Sequence, residues 1–110
     1  MGDDLGPNGF QMRGIDISRK ALGDGAQGCE FSRASGPYSG ESHYVCRIDV
    51  AGHTLAIFIY EDEAEFSIDD DRIDRRFEKW DYRSSDELIA DFDRRLREAL
   101  ASLRPTQQRP

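Results

Sequence analysis

Two cysteines and two histidines are the residues of this sequence with the highest intrinsic affinity for a metal. Cys29, His43, Cys46 and His53 are all ligand types that structural zinc sites use. Their spacing lacks the two tight pairs typical of such sites, and on a strand His43 and Cys46 point to opposite faces. We therefore predict no zinc site. The two cysteines could form a cross-strand disulfide, but two buried thiols are more common in a cytoplasmic protein.

Seven carboxylates within residues 61–71 form two short groups that could attract a cation. The groups are Glu61, Asp62, Glu63 and Glu65, followed by Asp69, Asp70 and Asp71. An EF-hand loop needs acids at alternate positions, a glycine and a late glutamate, whereas Ile73 stands where a third acid belongs. The two groups also fall at opposite ends of a predicted hairpin, so they cannot share one ion. We therefore predict no metal and no cofactor.

His53 is the candidate for acid–base chemistry. Asp49 and Asp69 flank Thr54 in one predicted cross-strand row, and a histidine beside two carboxylates can be tuned as a base. A histidine at a turn is more often exposed and without a catalytic role. No serine or cysteine nucleophile stands in a recognisable motif, and no glycine-rich phosphate loop joins a strand to a helix. We therefore predict that the protein is not an enzyme.

The stretch from His43 to Asp71 predicts three antiparallel strands joined by very short turns. We place one turn at Ala51-Gly52 and another at Glu61-Asp62. Each turn fixes the register of its own hairpin, and the register decides which side chains share a face of the sheet. Both turns place the same side chains on one face: Tyr44, Cys46, Ile48, Val50, Leu55, Ile57, Ile59, Ala64, Phe66 and Ile68. A further strand over residues 29–34, with Cys29 opposite Cys46 and Phe31 on the core face, would extend this meander.

The predicted strand over residues 54–60 is apolar on both faces. Ala56, Phe58 and Tyr60 point away from the first face, toward Val45 on the neighbouring strand. A strand of this kind is usually central and covered on both sides. One C-terminal helix can cover only one side. The N-terminal segment, a second copy of the chain or a partner must then cover the other.

Residues 68–83 allow two interpretations. Ile73, Phe77 and Trp80 have helical spacing, whereas Trp80 and Tyr82 at alternate positions indicate a fifth strand after a loop. We favour the strand, because a clear helix begins immediately afterwards.

That helix begins with a capping box, Ser84 with Glu87, and ends at Arg104-Pro105. Its apolar stripe consists of Leu88, Ile89, Phe92, Leu96, Ala99, Leu100 and Leu103.

These elements predict an α+β fold: an antiparallel β-meander of four to five strands with one C-terminal α-helix packed on one face. We expect a single domain over residues 15–104, a flexible N-terminal segment 1–14 and a disordered tail 105–110. Phe10 and Met12 are possible anchors of the N-terminal segment, and residues 15–22 fit either a strand or one helical turn. The sequence has no apolar run of ~20 residues and no signal peptide, so we expect a cytoplasmic protein.

The acidic charge is concentrated in one segment. The net charge is −7, and residues 61–71 contain seven acids and no base. Such a field repels nucleic acid and attracts a basic protein surface. In the simpler alternative, the acids only keep an exposed hairpin soluble and protect an edge strand.

We predict a small acidic protein-interaction domain, inhibitor-like or immunity-like, with no direct contact to nucleic acid or membrane. Its predicted partner-binding residues are Phe58, Tyr60, Glu61, Asp62, Glu63, Glu65, Asp69, Asp70 and Asp71. The alternative is a structural homodimer, or a small-molecule-binding domain, that uses the second sheet face around Val45, Ala56 and Phe58.

Overall fold

The structure, a computed structural model, describes residues 8–23, 30–35, 42–69 and 75–103. Within these ranges the chain forms two helices and five strands. Helix α1 (Gly9–Leu22) precedes the strands in the sequence, and helix α2 (Ser85–Leu103) follows them. The strands are β1 (Ser32–Ser35), β2 (Ser42–Val50), β3 (His53–Ile59), β4 (Ala64–Ile68) and β5 (Arg75–Phe77). They form one antiparallel sheet in the order β1-β2-β3-β4-β5, which confirms the predicted α+β class and meander.

The central strands pair in the predicted register. Ile57 faces Cys46 on β2 and Phe66 on β4. Ala51 and Gly52 form the β2–β3 turn with positive φ angles of 54° and 85°, as a two-residue hairpin turn requires. All of the side chains predicted to point inward are buried in the core or packed against it.

The C-terminal helix begins and packs as its sequence predicts. The Ser84 hydroxyl accepts a hydrogen bond from the Glu87 N–H (3.2 Å), and the Glu87 carboxylate accepts one from the Arg83 N–H (3.0 Å). The buried side chains of α2 are Leu88, Ile89, Phe92, Leu96 and Leu100. This stripe packs on the inward face of the sheet.

The predicted boundary between residues 14 and 15 falls inside α1, because residues 9–14 form the first six positions of this helix. Asn8 caps this helix: its side-chain oxygen accepts from the Gln11 N–H (2.7 Å), and the Gln11 side chain accepts from the Asn8 N–H (3.0 Å). Residues 15–22 continue the same helix. Residues 1–7 and the predicted tail lie outside the described residues.

α1 lies on the same face of the sheet as α2. A Cβ at Gly14 would come within 3.0 Å of two atoms of Ile59, which belongs to the inward set. Arg13 also forms an ion pair with Asp86 in the first turn of α2. In the described parts of the chain both helices therefore form one layer, and the opposite sheet face carries no helix. Residues 8–23 do not supply the predicted cover for that face.

The first strand is shorter than predicted and is shifted along β2 by two residues. Ser32 lies opposite Val45, whereas the prediction placed Cys29 opposite Cys46. A shift of two residues preserves the alternation of side chains, so Phe31 still packs against the core. Cys29 lies outside the described residues, so the choice between a disulfide and two thiols stays a prediction.

The fifth strand exists but ends before the predicted aromatic pair. Phe77 lies opposite Ala64 on β4 and is buried. After it the chain leaves the sheet in a short 3-10 turn, Lys79–Asp81, on its way to α2. Trp80 and Tyr82 therefore do not share a strand face, because β5 ends at Phe77 and Trp80 belongs to the 3-10 turn.

Candidate partner-binding site

The predicted acidic segment is divided between the two ends of β4. Glu61, Asp62 and Glu63 form the β3–β4 turn, whereas Asp69 follows β4 at its other end. The five residues of β4 lie between Glu63 and Asp69, and the six steps along the chain span about 20 Å at ~3.3 Å per residue. Asp70 and Asp71 lie outside the described residues. The predicted partner-binding residues therefore do not form one surface.

Two hydrogen bonds hold the acidic turn, residues 61–63, in place. The Tyr60 N–H donates to the Glu63 carbonyl oxygen (2.8 Å) and closes the turn. The Asn8 side-chain amide donates to the Glu61 carbonyl oxygen (3.1 Å), which ties the turn to the start of α1. The turn is therefore positioned by the N-terminal helix as well as by its own strands.

Lys79 joins the 3-10 turn to the acidic turn through two contacts. Its ammonium lies 2.8 Å from the Asp62 carboxylate, and its backbone N–H donates to the Glu63 carboxylate (3.2 Å). The hydrogen bond that the Lys79 ammonium donates to the Asp62 carboxylate raises the pKa of Lys79 above its ordinary value. The lysine is therefore a permanent cation beside the acidic turn.

A groove of about 370 Å³ lies beside the acidic turn. Its lining includes Asp62, Lys79, Trp80, Tyr82, Arg83 and Leu88. The Trp80 side chain is 74% exposed, and the Lys79 ammonium lies 4.8 Å from the centre of its ring. We call this feature the Trp80 groove. Tryptophan is among the residues that are enriched at protein–protein interfaces relative to the rest of the surface.

Tyr82 fastens the wall of the groove to α2. Its hydroxyl donates to the Asp91 carboxylate (2.6 Å). Burial, followed by this hydrogen bond, raises the pKa of Tyr82 to about 12, and the same bond lowers the pKa of Asp91. The phenol therefore stays protonated as a donor at any ordinary pH, and the segment after Trp80 keeps its position.

The second sheet face carries a row of aromatic rings that reaches the acidic turn. The ring centres of His43 and Tyr60 lie 5.0 Å apart, and those of Phe58 and Tyr60 lie 6.4 Å apart and nearly parallel. The Arg47 guanidinium lies 5.7 Å from the Phe58 ring centre, and Ala56 is only 8% exposed. Long side chains of the sheet therefore cover part of the face that was predicted to need a cover.

Two further predicted residues stand apart from the groove. Glu65 lies opposite Phe58 on this second face and is near Arg76 (3.7 Å). At the far end of the sheet, Asp69 accepts a hydrogen bond from the Thr54 N–H (2.9 Å), and its other oxygen lies 2.6 Å from His53 Nδ1. The contact with His53, followed by the one with Thr54, lowers the pKa of Asp69. Both oxygens of Asp69 thus hold β4 to the start of β3.

Sequence reasoning missed the groove because it placed Trp80 on a strand. The signal available was that the only tryptophan of the chain stands between two charged residues, Lys79 and Asp81, just before a capped helix. Neither the alternation of the strands nor the apolar stripe of the helix assigns such a residue to the core. Its exposure follows from the early end of β5.

Across the ranges that the structure describes, no three histidine, cysteine or acidic side chains are grouped as metal ligands would be. Neither described helix combines the length and the apolar character needed to cross a bilayer. No protein-family model, curated protein or solved structure matches this chain.

Proposed function

We propose that this protein is a small, non-catalytic interaction domain that binds a basic surface of a protein partner through its acidic turn and the Trp80 groove. The observation that carries the proposal is the exposed Trp80 ring in a groove that Asp62 of the acidic turn also lines. Tryptophan is among the residues that most often dominate binding energy at protein interfaces. The carboxylates beside it would select a basic partner.

Electrostatics support the same kind of partner. The net charge of −7 favours encounter with a basic surface and disfavours nucleic acid. The side chains of Asp62 and Glu61 are exposed at the tip of the hairpin, where an approaching protein meets them first. Charges in this position act mainly on the association rate and on its dependence on salt.

The proposed surface is smaller than the one predicted from the sequence. It keeps Tyr60, Glu61, Asp62 and Glu63 and adds Trp80. Phe58 and Glu65 lie on the adjoining sheet face, where they would contact only a partner that extends past Tyr60. Asp69 is left out because it lies at the opposite end of β4.

Neutralising the acidic turn is expected to weaken partner binding roughly tenfold. The triple variant Glu61→Gln, Asp62→Asn, Glu63→Gln removes three exposed or half-exposed charges, each worth about 0.5 kcal/mol at an interface rim. The partner is first identified by pull-down with the wild-type chain. Surface plasmon resonance at low and high salt then measures both rate constants, and most of the loss is expected in the association rate.

A matched control changes the net charge by the same amount elsewhere. The variant Asp16→Asn, Asp93→Asn, Glu98→Gln removes three carboxylates that pair with basic residues on the two helices. It is expected to bind nearly as well as the wild type, with melting curves confirming that both variants fold. Equal affinities for the turn variant and this control would contradict the proposal.

The homodimer predicted as an alternative has one supporting observation. On the second face, Arg47 on β2 lies opposite Ala56 and Glu65 on β4 lies opposite Phe58, so the two charges flank β3 on its two sides. A copy turned by 180° about an axis parallel to β3 would bring Arg47 of each chain beside Glu65 of the other. Small-molecule binding on this face has no comparable support.

Sedimentation analysis tests this alternative. This alternative predicts a dimer for the wild type and a folded monomer for Phe58→Asp, because the substitution places a charge at the centre of the contact. A wild-type monomer at every accessible concentration would refute the dimer.

A further inference from the structure

We infer that the Trp80 groove receives an arginine side chain of the protein partner, which takes the position that Lys79 now holds between Asp62 and Trp80. The inference rests on the proposed function and adds the chemistry of the group that the groove recognises.

Lys79 shows that the groove already holds a cation. Its ammonium lies 2.8 Å from an Asp62 carboxylate oxygen and 4.8 Å from the centre of the Trp80 ring. A carboxylate on one side and the face of an indole on the other are the two features that attract a cationic side chain. The chain thus fills its own cation site with a neighbouring residue.

The occupant of this site can be exchanged. The side chains of Lys79 and Asp62 are 46% and 51% exposed, so the pair is in contact with water and its separation leaves no buried charge. The groove volume of about 370 Å³ lies within the ~300–1,000 Å³ typical of ligand pockets. Space for an incoming side chain therefore exists beside the lysine.

Arginine fits this site better than the lysine that occupies it. A planar guanidinium can stack on the indole and at the same time donate two parallel hydrogen bonds to one carboxylate. An ammonium is a compact, strongly hydrated point charge and has no such planar surface. A basic partner that offers arginine would therefore displace Lys79, whereas one that offers only lysine would gain little.

An anion is the competing occupant, because Arg83, Ser84 and Ser85 also line the groove at the start of α2. The Ser84 hydroxyl already accepts the Glu87 N–H, and the Glu87 carboxylate accepts the Arg83 N–H, so two donors of this helix end are used. Glu87 places a negative charge in the first turn, and Asp86 adds a second carboxylate there that is paired with Arg13. These charges favour the cation.

Trp80 is the only tryptophan of the chain, so intrinsic tryptophan fluorescence reports on this groove alone. The full chain is titrated with the capped peptide Ac-Gly-Arg-Gly-NH2, and with counterparts that carry lysine, norleucine or glutamate in place of arginine. Arginine is expected to change the fluorescence with a lower Kd than lysine. Norleucine and glutamate are expected to cause no saturable change.

The decisive variant is Lys79→Met, which keeps the side-chain stem and the backbone N–H that donates to Glu63. It is expected to bind the arginine peptide about 3-fold more tightly, the size of one exposed cation–π contact, because the internal competitor is gone. Arg83→Met is the matched control, since it removes the same charge from the same groove without opening the site. Asp62→Asn is expected to weaken binding of the arginine peptide.

Equal affinities of Lys79→Met and Arg83→Met for the arginine peptide would overturn the inference. Tighter binding of the glutamate peptide than of the arginine peptide would also overturn it. If Lys79→Met melts at a lower temperature than the wild type, the measurement is repeated with Lys79→Gln. These outcomes are separate from the proposed function, which the turn variant and the identified partner test. The turn variant could weaken partner binding while Lys79→Met binds the arginine peptide no more tightly than the wild type. That result would support the interaction domain and refute the arginine site.

Discussion

Replacing Phe92 with alanine is expected to destabilise the fold by about 3–5 kcal/mol. The ring is fully buried in α2 and meets Phe77 edge to face at 5.5 Å and Phe66 at 6.3 Å. These three rings connect α2 to β4 and β5, and the truncation would leave a cavity that the backbone of a sheet cannot close. Since domains of this size have about 5–15 kcal/mol of stability, the loss is a large fraction of the total.

Urea denaturation of Phe92→Ala and of the wild type measures this loss as a shift of the midpoint. Leu103→Ala, in the half-buried last residue of α2, is the control and is expected to cost much less. A loss below about 1 kcal/mol for Phe92→Ala would show that α2 does not pack on the edge of the sheet that β5 forms.

Replacing Gly14 with valine is expected to destabilise the protein by about 1–3 kcal/mol through overpacking. A Cβ at this position would lie 3.0 Å from two side-chain atoms of Ile59, which is itself fully buried and cannot move into open space. Valine adds two more carbon atoms at that contact. The helix would have to move away from β3, and the core around Ile59 would open.

Gly9→Ala is the matched control, because a Cβ there meets nothing within 4 Å. It is expected to stabilise α1 by up to about 0.5–1 kcal/mol, since alanine costs less conformational entropy than glycine in a helix. The double variant Gly14→Val, Ile59→Ala is expected to cost less than the sum of its single changes, because the second change removes the clash. Full additivity, or a stable Gly14→Val, would mean that α1 does not dock on Ile59.

Two parts of the fold were determined by the sequence alone. The register of β2, β3 and β4 follows from strict alternation between two short turns, so Cys46, Ile57 and Phe66 had to share one face. α2 follows from a local cap at Ser84 and a regular apolar stripe. Alternation, turns and caps act over a few residues, and they can be read without knowledge of the rest of the chain.

α1 was not determined in this way. Its buried residues are Gln11, Gly14, Ser18 and Leu22, a stripe that is mostly small or polar. The pattern has the spacing of a helix but little hydrophobic signal, because close approach to Ile59 requires small residues. Ser18 can be buried since its hydroxyl donates to the Gly14 carbonyl oxygen (2.8 Å). Only the neighbouring sheet makes such a stripe favourable.

The candidate site depended on the tertiary structure to an even greater degree. Asp62 and Trp80 are far apart in sequence and adjoin one groove because Lys79 joins the two turns and β5 ends at Phe77. The acidic residues were evident from composition. The sequence showed them as one charged segment, whereas in the structure they lie at the two opposite ends of β4. The physical reason is that charge has no periodicity of its own, so only the packing of the strands decides which acids meet and which aromatic ring stands beside them.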